Sequence, residues 1–398
     1  MKCLSKKTLI IIILIHFLLL TNLSIAKHNN LPDWDLVEHE SIISYSINGE
    51  FFYNEVTNEN HLYRHAFFFA VFLMPFYYLF PSSSILLILQ TAAFSLAGLL
   101  LFKLMQKKGL PEKFSFLLLI VYFFSAYNVY VNLEEFHFIV FAVPLIILAF
   151  YTIETSKPKT FVITLILLLL VKENMIFIGL FLGLYLFINK NTLWKKTILI
   201  SGAYLVLTLL LLTSIYSGII DERYNLGAQD DLNSPANNLK LNVKNYAIGT
   251  FTPFLFLPFF NSASIVAAPT FFQNTLSSDE FQNCFVGHHS IPLITIFFIS
   301  TILFLAKIFT LNKRLFFILA SYFIIVQIIF SVWAYGMMFN ENGYENTIFD
   351  SCITTGKSSS NKLIIDGSFI HRVFDFTNNG FNKKTYFDDP KEEMDFYE

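Results

Sequence analysis

Residues 160–189 read TFVITLILLLLVKENMIFIGLFLGLYLFIN, an apolar run interrupted only by Lys172-Glu173-Asn174. A bilayer's hydrocarbon core takes about 20 apolar residues per crossing helix, so a run of this kind belongs in a membrane rather than in a water-soluble core. Charged groups are costly against lipid. The stretch therefore predicts two short helices that turn at the triplet. Outward from it the same signal recurs near 8–25, 84–102, 114–131, 136–153, 196–218, 291–306 and 315–335, which with the two halves makes nine spans. A further uncharged stretch, 246–276, is broken by Pro253, Pro258, Asn261 and Pro269. It predicts either a tight hairpin of two spans or a re-entrant element, for a total of 9 to 11 spans.

Composition agrees with this reading. Of 398 residues 55% are hydrophobic and only 14% charged, where an ordinary soluble domain has about 25% charged. A net charge of −2, from 27 basic and 29 acidic residues, leaves no basic surface for nucleic acid. The three cysteines, Cys3, Cys284 and Cys352, are too few and too scattered to predict a disulfide framework or a zinc site. The fold class expected is an all-α polytopic membrane protein.

Ala66–Phe80 is wholly apolar or Pro but short, with Pro75 near its middle. If it lies flat at the interface, the cytoplasmic pieces (the N-terminus, 103–113, 154–159, 189–197 and 307–314) carry 15 basic and 2 acidic residues. The remaining pieces then carry 12 basic and 27 acidic residues, as the positive-inside rule asks. If it spans, Lys103, Lys107, Lys108, Lys190, Lys195 and Lys196 move outside. The rule thus predicts a juxtamembrane helix. The first apolar run, between Lys7 and Ser24-Ile25-Ala26, reads as an anchoring span or as a cleavable signal peptide, and either way residue 27 emerges outside. The membrane part is then 1–335, with an outer loop over 27–83, and 336–398 is a small or partly disordered acidic outer tail.

Three places hold ionisable residues at the outer surface. Asp33-Trp34-Asp35 opens an amphipathic pattern with Leu36, Ile43 and Ile47 apolar and Asn48-Gly49 as its stop. Asp35 there reads as an N-cap, with Glu38 completing a capping box, or as a general base or divalent-metal ligand together with Asp33. The turn Asn132-Leu133-Glu134-Glu135-Phe136-His137 is so short that its carboxylates and imidazole stay at the membrane surface. Such a cluster is a functional hypothesis by default; turn residues in headgroup water are the bland alternative. Lys172-Glu173 reads as an internal ion pair or as a cation that binds phosphate. Six histidines, His39, His61, His65, His137, His288 and His289, fall in outer loops near spans, yet no metal-ligand spacing joins them.

The order of these motifs resembles a bacterial family catalogued as domain of unknown function 2079. The opening is carried by Trp34-Asp35-Leu36, by His65 before the run ending Pro75-Phe76-Tyr77-Tyr78-Leu79-Phe80-Pro81, and by Gln90. Glu135-Phe136-His137, Val171-Lys172-Glu173-Asn174 and Gly287-His288-His289-Ser290-Ile291-Pro292 then follow in the family's order, so the resemblance covers roughly residues 30–310. Departures are Val37 for a usual Gly, His65-Ala66-Phe67-Phe68 for a usual His-Phe-Ser-Pro, and Phe138 for a usual Pro.

That family is similar in layout to the C-type glycosyltransferases, which use sugars carried on polyprenyl phosphate. The resemblance implies a site on the outer side of a bacterial inner membrane, with Asp35 as base or metal ligand and Glu135 with His137 as a second carboxylate and its hydrogen-bond partner. Lys172 and Arg64 are implied as cations for the donor phosphate, with Asp33, Glu134, His65, Glu173, His288 and His289 in support. The partners implied are membrane lipid, a polyprenyl-phosphate-linked sugar and an acceptor glycan, lipid or protein; a divalent metal at Asp33 and Asp35 is left open. A transporter would place ionisable groups deeper and show repeated halves. A non-catalytic envelope assembly protein on the same fold would not need Asp35 and Glu135.

Overall fold

Apolar length decides which segments can cross a bilayer. The protein, a computed structural model, is described over residues 2–29, 34–63, 65–215, 236–277, 282 and 284–338. Among these, six helical segments are long and apolar enough to span: Lys6–His28, Ser83–Lys107, Glu112–Glu134, Trp194–Leu211, His288–Leu311 and Lys313–Gly336. Shorter apolar helices, Phe138–Glu154, Pro158–Leu169 and Met175–Ile188, take the other expected positions. The chain is an all-α polytopic membrane protein. Asp33, Arg64 and the acidic tail from residue 339 lie outside the described residues.

In chain order the helices are α1 (Lys2–His28), α2 (Trp34–Ile47), α3 (Met74–Leu79), α4 (Ser83–Lys107), α5 (Glu112–Phe123), α6 (Ala126–Glu134) and α7 (Ala142–Glu154). They continue as α8 (Pro158–Leu169), α9 (Met175–Ile188), α10 (Trp194–Ile215), α11 (Ala236–Phe251), α12 (Ala268–Leu276), α13 (Ile291–Leu311) and α14 (Lys313–Met338). A single antiparallel hairpin, Tyr53–Asn54 against Glu59–Asn60, pairs Tyr53 with Asn60. The span ending in α13 is 83% buried and packs on α7 and α14, whereas that of α10 is 17% buried and leans on α9. α4 lies between α1, α5 and α7.

Local chemistry explains the breaks. α5 and α6 part at Phe124-Ser125, where Asn128 Nδ2 donates to the Tyr122 carbonyl at 2.6 Å and Ser125 Oγ accepts the Asn128 N–H at 3.4 Å. Side chains thereby satisfy backbone groups that the interrupted ladder leaves open. α8 and α9 turn at Lys172-Glu173-Asn174, as the charged triplet requires. Ala66–Phe80 forms a 3-10 turn, Phe68–Phe72, and the six-residue α3. Neither reaches across a bilayer. Tyr78, Leu79 and Phe80 are more than 60% exposed, an apolar surface that suits lipid at the interface.

One open alternative is decided and one expectation is corrected. The stretch 246–276 contains no hairpin of two spans: between α11 and α12 it runs through 3-10 turns at Thr252–Phe254, Leu257–Phe260 and Ser262–Ala267, with Leu255 and Phe256 left-handed. The prolines remove backbone donors and prevent one continuous helix. In α2 the helix begins at Trp34, so Asp35 sits in the first turn and is not the N-cap. Nor is the polar side of α2 solvated, since Glu38, His39, Ser41 and Ser46 are as buried as Leu36, Ile42 and Ile43. The hairpin and His61 fold back over it: Asn54 Nδ2 donates to Glu38 Oε1 at 2.7 Å, and Ser41 Oγ and Ser46 Oγ accept the backbone N–H groups of Glu55 and Phe52.

Candidate functional site

The turn between α6 and α7 is extended at Glu135 (φ −159°) and His137 (φ −135°), which takes their backbone groups out of any helix ladder. Gln90, fully buried on α4, replaces that ladder. Its Nε2 donates to the Glu135 carbonyl at 2.7 Å and its Oε1 accepts the His137 N–H at 2.9 Å. Lys27, in the last turn of α1, donates to the Glu134 carbonyl. Phe136 and Phe138 are buried on either side of His137, so the whole turn is fixed from below.

α2 docks onto this turn. The Asp35 N–H, one of the first-turn donors that a helix leaves without an internal partner, donates to Glu135 Oε2 at 2.6 Å. A carboxylate at a helix N-terminus is also favoured by the backbone dipole. This contact brings Asp35 Oδ2 to 3.5 Å from His137 Nδ1. On its other side His137 Nε2 lies 3.8 Å from Glu134 Oε2, which in turn lies 3.5 Å from His288 Nδ1. The His137 and His288 rings stack at 3.5 Å between centroids, 21° from parallel, and His289 follows at 4.1 Å.

His288 and His289 occupy a 3-10 turn at the head of α13. Ser290 Oγ donates to the Cys284 carbonyl at 2.9 Å, and Asn274 Nδ2 donates to the Tyr246 hydroxyl at 2.7 Å and to the His289 carbonyl at 3.2 Å. Residues far apart in sequence therefore present the two imidazoles to the α6–α7 turn. Cys284 is disulfide-bonded.

A second polar contact lies where the outer loop meets the α8–α9 turn. His65 Nδ1 is 2.8 Å from Glu173 Oε1, and the Ala66 N–H donates to Glu173 Oε2 at 3.1 Å. Glu173 thus partners His65 closely, and the Lys172 ammonium, itself buried, lies 5.3 Å from the centre of the Phe67 ring. Between the two contacts runs a file of imidazoles. Centroid separations are 5.8 Å from His65 to His61, 6.3 Å to His39 and 6.4 Å to His137, which continues into the 137–288–289 stack. His39, His61, His65, His137, His288 and His289 all belong to it.

Electrostatics follows from this crowding. Burial, reinforced by the neighbouring His61 imidazole, pushes His39 down to about 3, and burial with competition for protons from the adjacent His288 and His39 imidazoles holds His137 well below the ordinary imidazole value. Both are neutral at pH 7. Loss of solvent raises the Asp35 carboxyl, His288 opposes that, and Glu38 and Glu134 add to it. Burial works against the Glu173 carboxylate, but His65 and Lys172 outweigh it and lower its pKa. The field of Lys172 also reaches Asp35, His137 and His289.

The fold thus brings together Asp35, Glu134, Glu135, His137 and His288, with His289 and Lys172 acting on them and His65 and Glu173 at the far end of the file. Among the described residues Asp35, His137 and His288 each offer one ligand atom, all within 4.8 Å of one another. Metal-capable geometry among the described residues therefore falls on an aspartate with two histidines, Asp33 lying outside them. Gln90 and His39 were not read as site residues from sequence. Gln90 had a signal, a polar side chain inside an otherwise apolar span.

No curated protein matches the chain. The family model described as "Predicted membrane protein (DUF2079)" matches residues 27–346, from the end of α1 through the last described helix. The chain belongs to this family of predicted membrane proteins, whose domain is one of unknown function.

Proposed function

We propose that the protein is a glycosyltransferase of the C-type architecture, set in a bacterial inner membrane with its N-terminus in the cytoplasm. It moves a sugar from a polyprenyl-phosphate donor to a hydroxyl or amine acceptor at the outer face. The observation that carries the reading is the meeting of Asp35 with Glu135 at 2.6 Å and with His137 at 3.5 Å, under the field of the buried Lys172. In this reaction the acceptor oxygen attacks the anomeric carbon as its proton leaves to a base, and the bond from that carbon to the phosphate oxygen breaks with its electron pair. Asp35 is the base or holds a metal that activates the acceptor, Glu135 fixes the direction of Asp35 through its N–H, and Lys172 offsets charge on the departing phosphate. The exposed apolar residues of Val71–Phe80 offer a surface to the polyprenyl chain.

The test is sugar transfer by the purified full chain from labelled polyprenyl-phosphate sugars, with bound donor measured separately. Asp35→Asn keeps the side chain's size and should lower turnover by roughly two to four orders of magnitude while donor binding persists. Glu135→Gln should also impair transfer, and the pair should cost less than the sum of the two. One observation favours a second reading, a non-catalytic assembly protein: Glu135 already has structural work at the start of α2. Near-normal turnover by folded Asp35→Asn removes the base assignment, and no turnover by the unaltered chain across a broad donor and acceptor panel selects the second reading.

A further inference from the structure

We infer that Asp35, His137 and His288 form a binding site for one borderline divalent transition cation of the zinc class, with Glu134 orienting both imidazoles. The three side chains come from α2, from the α6–α7 turn and from the turn before α13, and their ligand atoms already lie within 4.8 Å of one another. Ligand atoms around a zinc ion with bonds of about 2.0–2.2 Å stand about 3.3–3.5 Å apart, so the spread must close by up to about 1.5 Å on binding. The 3.5 Å gap between Asp35 Oδ2 and His137 Nδ1 already meets that distance.

A second observation points to a ligand independently. His137 Nε2, His288 Nδ1 and Glu134 Oε2 are buried without a hydrogen-bond partner, and the His137 side chain is 5% exposed. Buried polar atoms are rarely left in that state. An ion on the opposite ring nitrogens would fix the tautomer in which His137 Nε2 and His288 Nδ1 are N–H donors facing the Glu134 carboxylate. With His137 Nδ1 and the His288 nitrogen remote from Glu134 on the metal, the other ring nitrogens, each within 3.8 Å of Glu134 Oε2, can donate to it. Metal-bound imidazoles commonly donate their second N–H to a carboxylate, which fixes tautomer and ring direction. The stacked His137 and His288 rings must turn away from parallel for both in-plane nitrogens to point at one ion, as part of the closure on binding.

The donor set selects the ion. Calcium and magnesium demand oxygen ligands throughout, while two imidazole nitrogens and one carboxylate suit zinc and its neighbours. A divalent charge also offsets the repulsion between Asp35 and Glu134. Asp35 is 36% exposed at its side chain, which gives the ion an entry path and leaves one coordination position open to water or a phosphate oxygen. Within the transferase reading, Asp35 is then the metal ligand of the two roles left open for it, and the ion would acidify an acceptor hydroxyl in the open position, whose proton leaves to solvent as the anomeric carbon passes from the phosphate oxygen to the acceptor oxygen. The binding site itself does not depend on that reading.

The experiment uses the full chain in detergent, purified through a tag without histidine and stripped with chelator. Reloading with zinc and elemental analysis after gel filtration should give about one equivalent, unaffected by millimolar magnesium or calcium, and cobalt should give the visible absorption of a nitrogen- and oxygen-ligated ion. His137→Gln and His288→Gln should each abolish stoichiometric loading, and Glu134→Gln should weaken it by roughly 10- to 100-fold, the range for a lost orienting carboxylate. His61→Gln removes an imidazole of the same file outside the ligand set and should retain one equivalent. Less than a tenth of an equivalent on the unaltered chain, or full loading of folded His137→Gln or His288→Gln, overturns the site. Metal content is read without turnover, so one equivalent with no sugar transfer leaves the site standing and counts against the transferase alone.

Discussion

Gln90 carries more of the site than its place in an apolar helix suggests. Both its polar ends are used on the backbone of the α6–α7 turn, one at the Glu135 carbonyl and one at the His137 N–H. Gln90→Leu fits the same volume but leaves both groups buried and unpaired, at a cost of about 1–3 kcal/mol each. The expected result is a lower melting temperature in detergent and weakened zinc loading, with Gln90→Glu recovering the bond from His137 but not the one to Glu135. An unchanged melting temperature for Gln90→Leu would show that the turn holds without it. At this scale the sequence displayed Asp35, Glu135 and His137 well, because short motifs of carboxylate and imidazole stand out against apolar surroundings. It could not display His288 beside them. That contact joins positions about 150 residues apart through the packing of α13 on α7, which no local spacing encodes. For the same reason the cap reading of Asp35 failed: a distant carboxylate, Glu135, supplies what a local side chain normally would.

Between elements, close approach is set by small residues. A Cβ on Gly98 of α4 would lie 2.1 Å from Phe123 of α5, whereas one on Gly202 of α10 meets nothing within 4 Å. Helices in lipid gain little from burying apolar surface against each other and rely on such fitted contacts. Gly98→Ala should therefore destabilise by about 1–3 kcal/mol through overpacking, and Gly202→Ala should stabilise by about 0.4–1 kcal/mol by restricting the unfolded chain. Melting of both variants in one detergent reads the difference; equal melting temperatures would mean that the Phe123 ring moves aside freely. Element identity was legible wherever a helix is long and uniformly apolar, and the turn at Lys172-Glu173-Asn174 was legible because charge cannot face lipid. At 246–276 the sequence left two alternatives open, because four helix-breaking residues leave several backbone paths of similar local cost. The 3-10 turns adopted there are chosen by packing against α13, as in the 2.7 Å bond from Ser300 Oγ to the Pro258 carbonyl.

Orientation is a property of the whole molecule, and two unlike observations bear on it. In the orientation proposed from the distribution of lysine and arginine, the N-terminus and 103–113 face the cytoplasm and the imidazole cluster and Cys284 would lie outside. Cys284 is disulfide-bonded, a state that persists in oxidising compartments and is rare in the cytoplasm. The chain's other cysteines are Cys3 and Cys352. Cys3 stands among Lys2, Lys6 and Lys7 before the first span, on the side that the charge rule makes cytoplasmic. Orientation therefore predicts that peptide mapping without reductant finds Cys284 joined to Cys352. Reporter fusions after residues 108 and 193 should read cytoplasm, and a fusion after residue 55 should read the outer side. A Cys3–Cys284 link, or a fusion after 108 that reads outside, would reverse the assignment. It would also place the Asp35, His137 and His288 cluster against the cytoplasm, where a polyprenyl-linked donor for outer-face transfer could not reach it.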